Sequence, residues 1–324
     1  MCRATSASEA DASASNHPPC TALIVTYQSA RQIPRLLDAL DRERRTGLDL
    51  DVVVVDNDSQ DGTPDVVRGY DWVRFVPSGG NLGYAAAINI GSRLVSEDRA
   101  ILVLNPDVVP LEGSLGRLLD GLAFSGVGVV APRLETMEGQ LSKSLRHEPS
   151  IGRALVDALL GDHASRLPCG ASGIVWPDSA YVAARHCEWA TGAALLISPN
   201  CRSAVGDWDE RYFLYCEETD YLRRVRATGL HVRYEPTSVV RHVGGASGVS
   251  DGLHARGAVS MVRYYRRYHG PIPSMVFRGM IMLHQLVRWR RSESGLALRA
   301  LLSRSVQATL PAPSFPSGQQ ESLR

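Results

Sequence analysis

Three short apolar runs early in the chain each end in residues able to donate, accept or carry charge. TALIVT ends at Thr26-Tyr27, DVVVV at Asp56-Asn57-Asp58-Ser59, and AILVL at Asn105-Pro106-Asp107. In an open α/β sheet, ligands bind beyond the carboxyl ends of the strands, so these ends would gather hydroxyls and carboxylates at one rim. An acidic and aromatic cluster, DWDERYFLYCEETD (207–220), adds Glu217, Glu218 and Asp220, and His242 follows. Each group also has a plainer reading. Asp56 to Asp58 suit an Asx turn, Asn-Pro-Asp is a common turn, and acids favour a helix start. His242 fits a surface or core histidine, and Trp189 before Thr191-Gly192 fits the core. The first turn, TYQSAR, lacks a Gly-x-Gly-x-x-Gly fingerprint and the chain has no Gly-x-x-x-x-Gly-Lys-Ser/Thr motif, which argues against dinucleotide dehydrogenases and P-loop enzymes.

The elements that must position these groups are legible from periodicity. Continuous β-branched runs at Thr21–Thr26 and Asp51–Val55 predict strands buried on both faces, and Ile33, Leu36, Leu37 and Leu40 between them predict a helix with Pro34 in its first turn. A strand at 72–76, a glycine-rich turn at 78–81, a helix over 84–95 and a strand at 100–104 continue the α/β alternation. Further strands are expected at 127–131, 193–198 and 231–235, a helix at 221–228 closed by Gly229, and a segment at 239–245 carrying His242 before a glycine turn. Residues 133–185 read as polar and less regular.

The chain has 324 residues, 44% of them hydrophobic and 21% charged, with 35 basic against 34 acidic side chains. That is a globular composition with no global pull towards nucleic acid. The six cysteines form no Cys-x-x-Cys pair, which points to reduced thiols rather than a zinc knuckle or disulfide framework. Residues 1–19 lack the apolar centre of a secretory signal and are expected to form a disordered leader.

Taken in order, IVTYQS, VVVVDNDSQDGT, GGNLGYAAAINIG, LNPDV, ATGAALLIS, DERYFLYCEETDY and RHVGGAS resemble the inverting family 2 glycosyltransferases with a GT-A fold, closest to their rhamnosyltransferase-like branch. The resemblance runs from Cys20 to about Gly248. It implies a Rossmann-like α/β fold: a mixed, mainly parallel sheet flanked by helices, with a C-terminal helical extension. It implies a GT-A domain over 20–250, divided into a nucleotide-binding half (20–110) and an acceptor half (111–250), followed by a basic, amphipathic helical extension and tail over 251–324.

It further implies a dTDP- or UDP-sugar donor, plausibly carrying L-rhamnose, and a saccharide or polyprenyl-linked saccharide acceptor in cell-envelope or polysaccharide biosynthesis. Asp107 and His242 would hold a divalent metal, Mn or Mg, with Asn105 standing where the family has a first carboxylate. Asp56 would accept the imide N–H of uracil or thymine, with Thr26, Tyr27 and Asp58 beside it, and Asn81, Gly83 and Asn89 would face the donor. Glu218 would be the base for a single displacement, with Asp220 as competitor or orienting group, and Trp189, Thr191, Gly192 and Glu217 on the acceptor side. A nucleotidyltransferase, or a non-catalytic nucleotide- or membrane-binding scaffold, shares the same fold and stays open.

From Arg256 to Arg291 the chain has eight arginines and no Asp or Glu, interleaved with aromatic residues. An apolar helix over 275–289 with basic flanks suits an anionic membrane surface, and equally an ordinary packing helix with solvated arginines. No apolar run is long enough to span a bilayer. The expectation is a cytoplasmic protein, peripheral on the inner face of the plasma membrane through 256–291, with no nucleic-acid partner.

Overall fold

The β-branched runs become strands whose alternate side chains enter two different cores. In a computed structural model that describes residues 17–243 and 250–314, the chain runs β1 (Cys20–Thr26), α1 (Ile33–Arg45), β2 (Leu50–Asp56), α2 (Thr63–Arg68), β3 (Val73–Pro77), α3 (Tyr84–Ser92), β4 (Ala100–Leu104), β5 (Val108–Pro110), α4 (Ser114–Leu122) and β6 (Val127–Glu135). Then come β7 (Leu145–Arg146), α5 (Ile151–Leu160), β8 (Arg185–Cys187), β9 (Trp189–Ala190), β10 (Ala194–Ile197), α6 (Pro199–Val205), α7 (Glu217–Ala227) and β11 (His231–His242). Helices α8 (Asp251–Tyr268), α9 (Pro271–Val287), α10 (Ser292–Leu302) and α11 (Arg304–Ala308) close the chain.

The main sheet has the order β3-β2-β1-β4-β10-β6-β11-β5, with β8 also paired to β11. Strands β1 to β4 and the β6–β11 pair run parallel, whereas β10 is antiparallel to both its neighbours. This is the mixed, mainly parallel sheet with a C-terminal helical region that the motifs imply. Leu23, Val25, Val53 and Val55 pack with Ala85, Ala87 and Ile88 of α3 and Leu222 and Val225 of α7. On the other face Ala22, Ile24, Val52 and Val54 pack with Leu36, Leu37 and Leu40 of α1 and Leu115, Leu118 and Leu119 of α4. Burial on both faces is why these runs read as continuous rather than alternating.

Helix α3 lies close on the sheet because Gly91 has no side chain: a Cβ there would stand 2.1 Å from the Leu23 Cδ1. The region read as irregular, 133–185, contains the end of β6, the short β7 and the ten-residue α5. Helix α7 begins at Glu217, one turn earlier than the apolar pattern from Tyr221 indicates, because its first turn is made of acids rather than core residues. The segment at 231–235 and the described start of the one at 239–245 belong to one strand, β11, which ends at His242 and has a register shift between Glu235 and Val239. The expected leader through residue 16, the glycine turn at 244–245 within the RHVGGAS motif, and the tail from 315 lie outside the described residues.

Candidate active site at the strand ends

The parallel strands deliver their end residues to one rim. Thr26 and Asp56 are register partners at the ends of β1 and β2. The Thr26 hydroxyl donates to Asp56 Oδ1 (2.7 Å), and the Ser59 amide donates to Oδ2 (2.9 Å). The buried carboxylate is thereby fixed in orientation while keeping further acceptor capacity. Asp58 beside it is exposed in left-handed backbone (φ 67°), and Tyr27 is 52% exposed. Asn57 fastens the next loop: its Nδ2 donates to the Gly83 carbonyl (3.0 Å) and its Oδ1 accepts from the Leu82 amide (3.3 Å).

That loop is clamped from the other side as well. Gly83 has φ 92°, and a Cβ there would meet the Phe213 carbonyl at 2.5 Å, while the Tyr84 amide donates to that same carbonyl (2.9 Å). The Tyr84 hydroxyl donates to Asn105 Oδ1 (2.8 Å), so the amide that stands in the place of a carboxylate has its carbonyl oxygen engaged. The Asn89 side chain turns away from the rim and pins α3 to the 208–210 segment. Its Nδ2 donates to the Trp208 carbonyl and Glu210, and its Oδ1 accepts from the Trp208 amide, each at 2.9 Å. The Asn81 carbonyl accepts from the Ser314 amide (2.9 Å), which brings the end of the described chain against this loop.

Asp107 follows β4, and β11 runs antiparallel beside β5 with His242 opposite Val108. This pairing places His242 Nε2 3.3 Å from Asp107 Oδ2 and lets the Val243 amide donate to the Asp107 carbonyl (3.0 Å). Two donors of different chemistry thus converge. Among the described residues no third His, Cys, Asp or Glu joins them in a metal-sized cluster. A carboxylate oxygen and an imidazole nitrogen nonetheless fit a magnesium or manganese ion that takes its remaining ligands from phosphate and water.

The acid pair opens α7. Tyr215 and Cys216 just before it both have φ 69°, consecutive non-glycine residues in the left-handed region, a local strain held in place by packing of the buried Cys216. Burial and then the charge of Glu218 push the Glu217 carboxyl well above its ordinary range. Burial also raises Glu218, but the backbone amides of Glu218, Gly192 and Thr219 and the charge of Arg146 pull it partly back. One carboxylate oxygen of each glutamate is buried without a hydrogen-bond partner among the described residues. Burial, and then the charges of Glu217, Glu218 and Asp107, push the Tyr84 hydroxyl well above its ordinary range.

Asp220, by contrast, is 0% exposed and fully engaged. Its Oδ2 accepts from Arg224 (2.9 Å), and its Oδ1 accepts from the Tyr268 hydroxyl (2.7 Å) and Arg267 (2.9 Å). It orients α7 against α8. Gly192 lies directly under Glu218, whose Cβ would be 3.3 Å from a Cβ at that position. The Thr191 amide donates to the Ser144 carbonyl (3.0 Å), and the buried Trp189 ring donates to the His147 carbonyl (3.0 Å). The structure therefore gathers Thr26, Asp56, Gly83, Asn105, Asp107, His242, Glu217, Glu218 and Gly192, and turns Asn89 and Asp220 to internal duties. Tyr84 and Arg146 are additions. Tyr84 could have been found inside the GGNLGYAAAINIG motif, whereas Arg146 sits in a stretch without periodicity.

Comparisons with known proteins identify the family and the fold. The family described as Glycosyl transferase family 2 matches residues 21–174. The N-acetylglucosaminyl-diphospho-decaprenol L-rhamnosyltransferase of Mycobacterium tuberculosis is 32% identical over 240 residues, covering 67% of this chain and 74% of that protein. Rhamnosyltransferase WbbL of Escherichia coli is 23% identical over 225 residues, covering 66% and 79%. Among solved structures, the mannosyltransferase PcManGT from Pyrobaculum calidifontis, in complex with GDP-Man and Mn2+, superposes with a TM-score of 0.54 at 19% identity, covering 91% of this chain and 79% of that one. Glucosyl-3-phosphoglycerate synthase from Mycobacterium tuberculosis, in complex with Mn2+, UDP and phosphoglyceric acid, superposes at 0.52 with 14% identity, covering 80% and 81%. The fold is theirs.

Proposed function

We propose that this chain, which belongs to glycosyl transferase family 2, transfers L-rhamnose from a dTDP- or UDP-activated donor to a saccharide carried on a polyprenyl diphosphate. It is a glycosyltransferase, and membership of that family sets aside the nucleotidyltransferase alternative. The sugar and the lipid-linked acceptor rest on the likeness to the mycobacterial rhamnosyltransferase. The observation that carries the reaction is the Asp107–His242 pair at the strand ends that also present Asp56, fixed by Thr26 and Ser59.

Transfer with inversion needs a base on one face of the sugar and stabilisation of a departing diphosphate on the other. Asp107 and His242 are the residues that would hold a divalent cation, which supplies charge neutralisation to the leaving diphosphate when bound. Asp56, fixed by Thr26 and Ser59, accepts the imide N–H of a pyrimidine base. Glu218 removes the proton from the acceptor hydroxyl, and Glu217 beside it stays protonated, which avoids a second buried charge.

Ligand-dependent thermal stabilisation across dTDP, UDP and GDP, each with and without manganese, tests this reading, since a ligand of the native state raises the melting point by mass action. The expected result is a manganese-dependent rise with dTDP or UDP and none with GDP. Equal rises with GDP would remove Asp56 as a pyrimidine reader.

A further inference from the structure

Helix α9 turns an apolar stripe outward. Ile272, Met275, Val276, Leu283, Leu286 and Val287 recur at the three- and four-residue spacing of one helix face. Ile272 is 76% and Met275 72% exposed, and Trp289, just past the helix end, is 68% exposed. The opposite face does the packing: Ser274, Phe277 and Gln285 are buried, Arg278 donates to the Leu301 carbonyl, and Arg288 donates to the carbonyls of Asp157 (3.1 Å) and Ala158 (2.9 Å). Through those bonds α9 lies against α5, which exposes Leu155, Leu159 and Leu160. Two neighbouring helices therefore leave aliphatic side chains exposed, with nothing among the described residues to cover them.

Charge identifies the occupant. Of the eight arginines between Arg256 and Arg291, Arg256, Arg263, Arg267, Arg278 and Arg288 bond within the protein. Arg290 and Arg291 are exposed at the end of the stripe, with the Arg290 guanidinium 5.8 Å from the Trp289 ring centre. The one acid of α5, Asp157, faces inward and accepts from the Ser172 hydroxyl (2.6 Å) and the Gly173 amide (3.0 Å). The acids that follow, Asp162 after α5 and Glu293 in α10, lie beyond the stripe, Asp162 accompanied by His163 and Arg166. An acid-free aliphatic stripe ending in a tryptophan and paired arginines matches an anionic lipid surface, with alkyl groups among acyl chains, the indole at headgroup level and guanidinium groups on phosphate. Among the described residues no helix is long and apolar enough to cross a membrane, so contact would be along the surface.

We propose that the outward face of α9, continued by α5, docks the enzyme on an anionic phospholipid bilayer. The purpose of this docking rests on the polyprenyl-linked acceptor proposed above, because such an acceptor is embedded in a bilayer and the transferred sugar must be delivered at its surface.

The test uses the full chain with vesicles of phosphatidylglycerol and phosphatidylcholine, and with phosphatidylcholine alone. Co-sedimentation with the anionic vesicles is expected. Replacing Met275, Val276 and Leu286 together by Ser should weaken it by about tenfold or more. R290A/R291A should weaken it by roughly tenfold on anionic vesicles only. Neither variant should alter the melting point or the nucleotide-dependent thermal shift. Equal sedimentation of the triple variant and the parent, or no binding by the parent, would overturn the proposal. Self-association of the parent that the triple variant abolishes, without vesicle binding, would give the stripe to a second copy and overturn it too. A parent that binds vesicles but shows no shift with any nucleotide would instead count against the donor reading and leave the docking surface standing.

Discussion

Glu217 is buried and Glu218 half-buried at one helix end, and two like charges there repel in a poorly solvated space. Glu218 has the Gly192 and Thr219 amides and Arg146 to support its anion, whereas Glu217 has only its own amide, so Glu218 ionises first. E218Q should therefore lower transfer by about 10²–10⁴-fold while keeping the nucleotide-dependent thermal shift, and retained turnover would place the base elsewhere. E217Q, which copies the protonated form, should keep most of the transfer rate. It also has a stability signature. The folded pKa of Glu217 lies above its unfolded value, so the folded state holds the proton more tightly, and stability is lost as pH rises from the ordinary glutamate range towards the raised value. Gln has no proton to lose, so the melting point of E217Q should match the parent near pH 5 and exceed it near pH 8. A constant difference across that range would show that Glu217 does not titrate as its burial requires. At this scale Asp56 and Asp107 were legible because each acid follows an unbroken apolar strand. The division of labour within the acid pair was not, since it depends on Gly192 and Arg146, which reach Glu218 from segments far away in sequence.

The elements carry the site by close approach of backbone. The loop ahead of α3 is held between Asn57 and the Phe213 carbonyl, and only a residue without a side chain fits at Gly83. Gly83→Ala combines a left-handed backbone with a collision against a peptide oxygen, and should cost about 2–3 kcal/mol. Because the Tyr84 amide bonds to that same oxygen, the substitution should also displace Tyr84 from Asn105 and weaken the thermal shift given by dTDP or UDP with manganese. An unchanged melting point would mean that the loop is not clamped as described. The strands and α1 were readable from period and composition because burial on both faces, or along one helix stripe, leaves a direct imprint on residue type. Helix α7 was read from Tyr221, one turn late, because its first turn is made of the acids Glu217, Glu218 and Asp220 rather than apolar residues, the last of them bonded to α8. Helix α5 was readable as well, since Ile151, Ala154, Leu155, Ala158 and Leu159 recur at helical spacing, but this short pattern lies inside an otherwise polar segment.

Across the whole molecule, the boundary suggested by composition near residue 251 is bridged by contacts. The Ser260 hydroxyl of α8 donates to the Leu214 carbonyl (3.1 Å), Tyr264 to Glu148, Tyr268 to Asp220, and Arg267 pairs with Asp209 and Asp220. Tyr264 is buried with Tyr212 and Cys216, the latter in the strained step before the acid pair. Beyond α8, a small core of Ala255, Ala258, Ala297, Ala300 and Leu301 joins α8 to α10. The C-terminal helices are thus a brace on α7 as well as the carrier of the proposed membrane face. A brace of this kind couples unfolding: α7 cannot leave the sheet without breaking buried ionic bonds to α8, and α8 cannot loosen without exposing the tyrosines packed beneath it. Calorimetry in the absence of lipid should therefore show one cooperative transition for the full chain. Tyr268→Phe, which leaves Asp220 one donor short, should lower the melting point and the transfer rate together, because it acts on Glu218 through the position of α7. Two resolved transitions, with the second unaffected by Tyr268→Phe, would mean that the helices after residue 250 fold as an independent unit and that the brace does not exist.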